Sequence, residues 1–264
     1  MFTFTLSGGW VSDRPYPQRF QAAKDLGFQA IEMLEWRGED LSAARAEIDR
    51  TGVQLSAILC RSVDRDTSSL IENEHGIVWE DAQEAFVTCV KETLAAAQAL
   101  NCKNIVVTTG NERSDVSRQV QHDNVVCALR RAAQVVKGSG VKLVLEPLNV
   151  IISHKGYYLV TTQEGAQIID EVGSPDVRLL YDVFHQQISE GNITWNLRRY
   201  MDRIGHIHIG DVPDRNQPGT GEINYRRVFQ VIKELGYQGF VALECGCTEP
   251  VPEACKKMLA LLED

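Results

Sequence analysis

The chain has 264 residues, of which 44% are hydrophobic and 24% charged, enough to build one large α/β domain without disulfides or a structural metal. Its formal net charge of −9 speaks against a nucleic-acid backbone as partner, since such binders present a basic face. No apolar run reaches the roughly eighteen residues of a membrane span. The seven cysteines, odd in number and without a CxxC pair, fit reduced thiols in a cytoplasm.

Short β-branched or apolar runs alternate with amphipathic stretches along the whole chain. Phe2–Leu6 reads as a first strand, and Pro17–Leu26 as a helix closed by Gly27. Ala30–Leu34 and Leu41–Arg50, closed by Gly52, repeat the pattern, and Val53–Leu59 supplies a third strand. A helix over Trp79–Leu100 shows apolar spacing at i, i+3 and i+4. Strand Lys103–Thr109 and helix Asp115–Lys137 follow, then strand Val141–Glu146 and helix Thr162–Glu171. Val177–Tyr181, Ile204–Ile209 and Phe240–Leu243 read as strands, each followed by a helix, near Trp195–Arg203, Tyr225–Leu235 and Pro250–Leu262. Eight strands alternating with helices predict a parallel sheet, and at this length a single-domain (β/α)8 TIM barrel over residues 1–264. The competing open doubly wound sheet lacks its phosphate-binding turn, because the first strand leads into Ser7-Gly8-Gly9-Trp10 and not a GxGxxG.

Four residues able to bind a cation occupy equivalent places in successive units. Glu146 ends VKLVLE, Asp182 ends VRLLYD, His208 lies in IGHIHIGD and Glu244 ends FVALE, at intervals of 36, 26 and 36 residues. The C-terminal ends of barrel strands converge on one mouth. A carboxylate closing an apolar strand is costly to bury unless paired or bound to metal. One such residue alone is usually a helix cap or a solvated loop group, and a lone histidine is usually structural. Four on consecutive strands predict a metal site. Three carboxylates and one imidazole suit Mg2+, Mn2+ or Co2+, with Zn2+ also compatible.

The stretches LEPLN (145–149), GYYL (156–159), YDVFHQQISEGN (181–192), HIHIGDVPDRNQPGTGEINY (206–225) and ALECG (242–246) resemble the hydroxypyruvate isomerase branch of the xylose-isomerase-like sugar isomerase and epimerase barrels. The resemblance covers most of the chain. It implies metal ligation by Glu146, Asp182, His208 and Glu244, acid/base roles for Glu146 and Glu244, and substrate contacts from His185 and Arg215. One departure stands out: hydroxypyruvate isomerases carry glutamine where this chain has His208, whereas epimerases of the superfamily carry histidine.

The implied reaction interconverts a hydroxy-aldehyde and a hydroxy-ketone through an enediol. A divalent cation would stabilise its negative charge and a carboxylate would move the proton. The ordinary carboxylate pKa predicts that both glutamates are ionised at neutral pH. Arg215 is expected to hold a substrate carboxylate, with a surface salt bridge as the alternative. His185 is expected to act on the carbonyl oxygen, with orientation of Asp182 as the alternative. Glu32, Trp10 and Trp36 are candidate pocket walls, His154 and Tyr157 a candidate lid or an ordinary exposed loop, His75 and His122 solvated residues, and His206, one layer below His208, a packing residue or a partner behind the ligands. The expected partner is a small hydroxy-carbonyl substrate, with assembly into a homo-oligomer left open and neither nucleic acid nor membrane expected. Hydroxypyruvate, a four-carbon oxo acid and a keto-sugar all remain open as substrates, as does epimerisation. A metal-dependent abasic-site endonuclease would need more histidines at the mouth, yet the third and fourth strands end in Leu59-Cys60-Arg61 and Thr108-Thr109-Gly110. A barrel that binds a sugar acid without turnover would have little use for an intact carboxylate set.

Overall fold

The computed structural model describes residues 1–72 and 75–262, and in it the apolar runs form parallel strands. These are β1 Thr3–Ser7, β2 Ala30–Glu32, β3 Gln54–Leu55, β4 Ile58–Leu59, β5 Asn104–Val107, β6 Lys142–Leu145, β7 Val177–Asp182, β8 Ile204–Ile209 and β9 Phe240–Leu243. Ten α-helices lie among the described residues: α1 Gln18–Asp25, α2 Leu41–Thr51, α3 Arg65–Ser69, α4 Gln83–Ala99, α5 Arg118–Val136, α6 Thr162–Val172, α7 Val183–Ser189, α8 Ile193–Tyr200, α9 Tyr225–Glu234 and α10 Val251–Ala260. The expected TIM barrel is therefore present.

The third strand of the sequence reading is two pieces. The sheet order runs β3-β2-β1-β9-β8-β7-β6-β5-β4, so β3 borders β2 and β4 borders β5 at the opposite edge. Ser56 and Ala57 join these edges and close the barrel. Ser56 N still donates to Ile31 O (3.0 Å) while Cys60 N donates to Val106 O (2.9 Å). The chain changes partner in mid-strand, which no periodicity could reveal.

Strand parity sorts the side chains. Ala57, Val106, Val144 and Leu180 form a cluster of their own, whereas Ile105, Val107, Leu143, Leu145, Ile207, Ile209, Val241 and Leu243 belong to the larger cluster shared with the helices. The first set fills the barrel and the second packs under the helical ring. Each buried aliphatic side chain contributes on the order of 1.5–3 kcal/mol.

Helix ends follow their caps. Asp40, Ser117 and Thr161 side chains accept from Ala43 N, Val120 N and Glu164 N, and Gly52 and Gly173 end their helices in the left-handed region. The cap at Ser117 explains why α5 starts later than the predicted Asp115. The predicted helix from Trp79 opens as a 3-10 turn over Glu80–Ala82. The stretch expected near Trp195–Arg203 is α8 followed by a 3-10 turn at Met201–Arg203. No helix among the described residues is long and apolar enough to cross a membrane.

Candidate metal centre and active site

Parity also builds the site. Glu146 lies two residues beyond Val144, Asp182 two beyond Leu180, and Glu244 two beyond Ala242, so each continues the inward-facing row at the C-terminal mouth. His206 and His208 occupy the inward positions of β8, in register with Leu180 and Asp182 of β7. Glu146, Asp182, His208 and Glu244 thereby offer ligand atoms that all lie within 4.8 Å of one another. His208 Nδ1 is 2.8 Å from Glu244 Oε2 and 3.7 Å from Glu146 Oε1. The structure brings the four predicted ligands to one point.

Behind them, Glu32 reaches across from β2. Its Oε1 lies 2.7 Å from His208 Nε2, and its Oε2 lies 2.7 Å from His206 Nε2 and accepts from Ser56 Oγ at 2.8 Å. Glu32 lines a cavity of about 420 Å³ that also reaches Glu244, as expected of a pocket wall. It is at the same time the carboxylate between two buried histidines. His206 is thus a hydrogen-bonded member of the layer below.

The electrostatics separate the two glutamates. Burial raises the Glu146 carboxyl to about 7, against the pull of His208 and helped by the charges of Glu244 and Asp182. Burial opposes ionisation of Glu244 as well, but His208 and Arg215 outweigh it and hold that carboxyl at about 2. Burial disfavours the His208 imidazolium, yet Glu32 and Glu244 raise its pKa well above the ordinary value. The expectation that both glutamates are simply ionised at neutral pH therefore fails for Glu146 before any cation binds, because it is the more desolvated of the pair and lacks a partner on one oxygen.

Asp182 has two tasks. Its Oδ1 accepts from Phe184 N at 2.8 Å and caps α7, a helix absent from the sequence reading. One turn later that helix delivers His185, whose Nε2 sits 3.5 Å from Asp182 Oδ2. Both alternatives for His185 meet here: it faces the cluster and neighbours Asp182. The Arg215 Nη2 lies 3.0 Å from Asp182 Oδ2 and 2.7 Å from Glu244 Oε2. It is no surface salt bridge. The guanidinium enters the cluster itself and brings positive charge between two carboxylates.

Sequence reasoning missed the residue that holds Arg215 there. Asp211 is buried and accepts four backbone N–H groups, from Val212, Gly219, Gly221 and Ile223, at 3.0, 2.8, 2.9 and 3.1 Å. This folds the loop between β8 and α9 into a compact turn in which Arg215 adopts a left-handed φ of 54°. The HIHIGDVPDRNQPGTGEINY motif contains that signal, an acidic residue ahead of a Gly-rich loop that needs a buried acceptor.

The other expectations divide. Trp10 Nε1 donates to Cys245 O at 2.8 Å and Trp36 Nε1 to Leu59 O at 3.1 Å, so both indoles tie strand ends together at the mouth. Tyr157 is buried, donating to Glu146 O at 2.9 Å and accepting from Thr109 N at 2.8 Å. It is a strut under Glu146 and no lid. His154 is exposed and lines a second cavity of about 350 Å³ with Arg61, Leu148 and Tyr157. His75 and His122 are not free in solvent: His75 stacks on Trp79 and lies 2.9 Å from Asp81, and His122 is buried, 2.9 Å from Glu171. The polar stretches around both histidines concealed these partners.

A divalent cation fits this donor set. Glu146 Oε1 is buried without a hydrogen-bond partner, and an orphaned carboxylate oxygen beside two further carboxylates is the group a cation would satisfy. The hard oxygens and single imidazole match Mg2+ or Mn2+ chemistry.

The comparisons agree with this architecture. Residues 20–264 match the family model described as xylose isomerase-like TIM barrel. The hydroxypyruvate isomerase of Escherichia coli (strain K12) is 31% identical over 232 residues, 86% of each chain. The 2-oxo-tetronate isomerase of Cupriavidus necator is 31% identical over 234 residues, 88% of each chain. A crystal structure described as AP endonuclease, family 2, from Brucella melitensis superposes with a TM-score of 0.89 at 24% identity, covering 98% of this chain and 99% of that one, a likeness of fold. On this sequence match, strand order and mouth geometry, the chain belongs to the xylose isomerase-like TIM barrel family, in its hydroxypyruvate isomerase-like branch.

Proposed function

We propose that this isomerase interconverts a small hydroxy-aldehyde acid and its hydroxy-ketone isomer, of the hydroxypyruvate and tartronate semialdehyde type, with a divalent cation held by Glu146, Asp182, His208 and Glu244. The observation that carries the reading is the pair Glu146 and Glu244. They are two strand-end carboxylates, after β6 and β9, whose oxygens lie in one cluster of ligand atoms within 4.8 Å of one another. Two carboxylates beside one cation can move the carbon-bound and the oxygen-bound proton separately.

The bound cation would supply charge stabilisation for the enediolate oxygens. Glu244, ionised at neutral pH, takes the proton from the hydroxyl-bearing carbon. Glu244 then returns that proton, or one exchanged with solvent, to the neighbouring carbon, while Glu146, freed of its own proton by the cation, takes the hydroxyl proton and hands it to the former carbonyl oxygen. His185 Nε2 hydrogen-bonds a substrate oxygen, and Arg215 leaves its carboxylate partners to pair with the substrate carboxylate in bidentate fashion.

The test is turnover of a panel of small keto acids and ketoses in D2O with Mn2+, before and after dialysis against EDTA. Deuterium at one carbon of a three- or four-carbon keto acid, lost with EDTA and restored by Mn2+, is the expected result. Full activity in a preparation shown by elemental analysis to be metal-free refutes the cation's role. A second reading, ketose 3-epimerase, is favoured by the histidine at 208, and an epimerised ketose bearing deuterium at the carbon beside its carbonyl would select it.

A further inference from the structure

The side chain of Asn149, fully buried, is satisfied on every polar atom. Its Oδ1 accepts from two backbone amides, Ile152 N at 3.0 Å and Ser153 N at 3.2 Å. A backbone N–H can only donate, so the amide orientation is settled and Nδ2 must face the other way. There it meets Ser153 Oγ at 3.1 Å and His185 Nδ1 at 2.7 Å. The backbone N of Asn149 also points at His185 Nδ1, at 3.3 Å. Two donors therefore converge on one ring nitrogen. That nitrogen has to present its lone pair, and the proton of a neutral imidazole has to sit on Nε2. Rotating the ring by half a turn would set a C–H against both donors and leave them unsatisfied in a buried place.

We propose that Asn149 is the positioning residue that sets the tautomer of His185, so that a neutral imidazole presents its Nε2–H to the cluster as a fixed hydrogen-bond donor for a substrate oxygen. This deepens the isomerase reading and rests on it for the identity of the acceptor. Three consequences follow for His185. It cannot offer an Nε2 lone pair to a metal, although it lies near the four ligands. It cannot serve as the general base, because its cluster-facing nitrogen is already protonated. It is a neutral electrophile that stabilises charge developing on oxygen, a role in which an oriented donor needs no reorganisation during the reaction.

The test is a long-range proton–nitrogen correlation spectrum of nitrogen-15 histidine-labelled full-length protein loaded with Mg2+, with the His185 signals assigned by their loss in His185→Gln. Wild type is expected to show His185 as the neutral form with its proton on Nε2. Asn149→Asp keeps the shape but replaces the amide donor by an acceptor, and is expected to move a proton onto Nδ1. With Mn2+ at saturation that variant should lose about 10²–10³-fold in kcat, the usual cost of removing one oriented donor, with a far smaller change in KM and with Mn2+ affinity preserved. A wild-type spectrum with the proton on Nδ1, or on both nitrogens, overturns the proposal even should the variant fail to fold. So does an Asn149→Asp protein that keeps both the tautomer and the rate. If wild type turns over no keto acid yet shows the Nε2–H form, the isomerase reading fails and the tautomer assignment stands.

Discussion

The proposed cation site accepts metal only through deprotonated ligands, so its affinity must follow the protons it displaces. Without metal, Glu146 titrates at about 7, raised by burial, and His208 well above its ordinary value, since Glu32 and Glu244 outweigh its burial. Glu244, held at about 2 by His208 and Arg215 against its own burial, contributes no proton near neutrality. The sign is unambiguous. Both Glu146 and His208 hold their protons below their raised pKa values, so lowering the pH strengthens the competitor and weakens metal binding. Below pH about 7 a cation must expel about two protons; above it, only the one on His208. Each displaced proton changes affinity about tenfold per pH unit, or about 1.4 kcal/mol. Going from pH 7 to pH 5 should therefore weaken Mn2+ binding by about 10⁴-fold. Glu146→Gln keeps an oxygen at the site but removes one of the two protons, and its loss over the same interval should be only about 10²-fold. Titration calorimetry in buffers of different ionisation enthalpy counts the protons released directly. Affinity that is flat between pH 5 and 7, or an identical slope in Glu146→Gln, would refute the reasoning.

Two further outcomes follow from the same contacts. Glu244→Gln retains an oxygen for the cation but loses the proton acceptor, and at saturating Mn2+ its turnover should fall by the roughly 10²–10⁴-fold typical of a general base; near-wild-type kcat would make Glu244 a ligand alone. Asp211→Ala strands the backbone donors of Val212, Gly219, Gly221 and Ile223, and urea unfolding should show a loss of about 3 kcal/mol or more, given about 1.5–3 kcal/mol for a hydrogen bond to a charged group. An unchanged midpoint would mean that the loop holds its shape without that acceptor.

What the sequence made legible is what strand parity carries. Glu146, Asp182 and Glu244 announce themselves because each follows an apolar inward position by two residues, and His208 because it shares a strand with another histidine at that spacing. The groups that stayed hidden act across the fold. Asn149 meets His185 and Asp211 gathers a loop, and neither contact has a period. Glu32 and His206 are 174 positions apart, and they meet because β2 and β8, with only β1 and β9 between them in the sheet, point both side chains into the barrel interior. Reading Glu32 as a pocket wall therefore understated it. Its carboxylate is ionised, because His208 and His206 outweigh the burial that would otherwise raise its pKa, and it lies 2.7 Å from His208 Nε2. That contact favours the proton on Nε2 and leaves Nδ1, the nitrogen beside Glu146 and Glu244, for the cation. Such outer partners of a ligating histidine are worth about 10–100-fold in metal affinity. Glu32→Gln preserves the side chain's size but offers one acceptor to two histidines, and its Mn2+ affinity should fall within that range while the unfolding midpoint moves little. Wild-type affinity in this variant would show that barrel packing alone orients His208, and that the buried carboxylate serves the His206 layer instead.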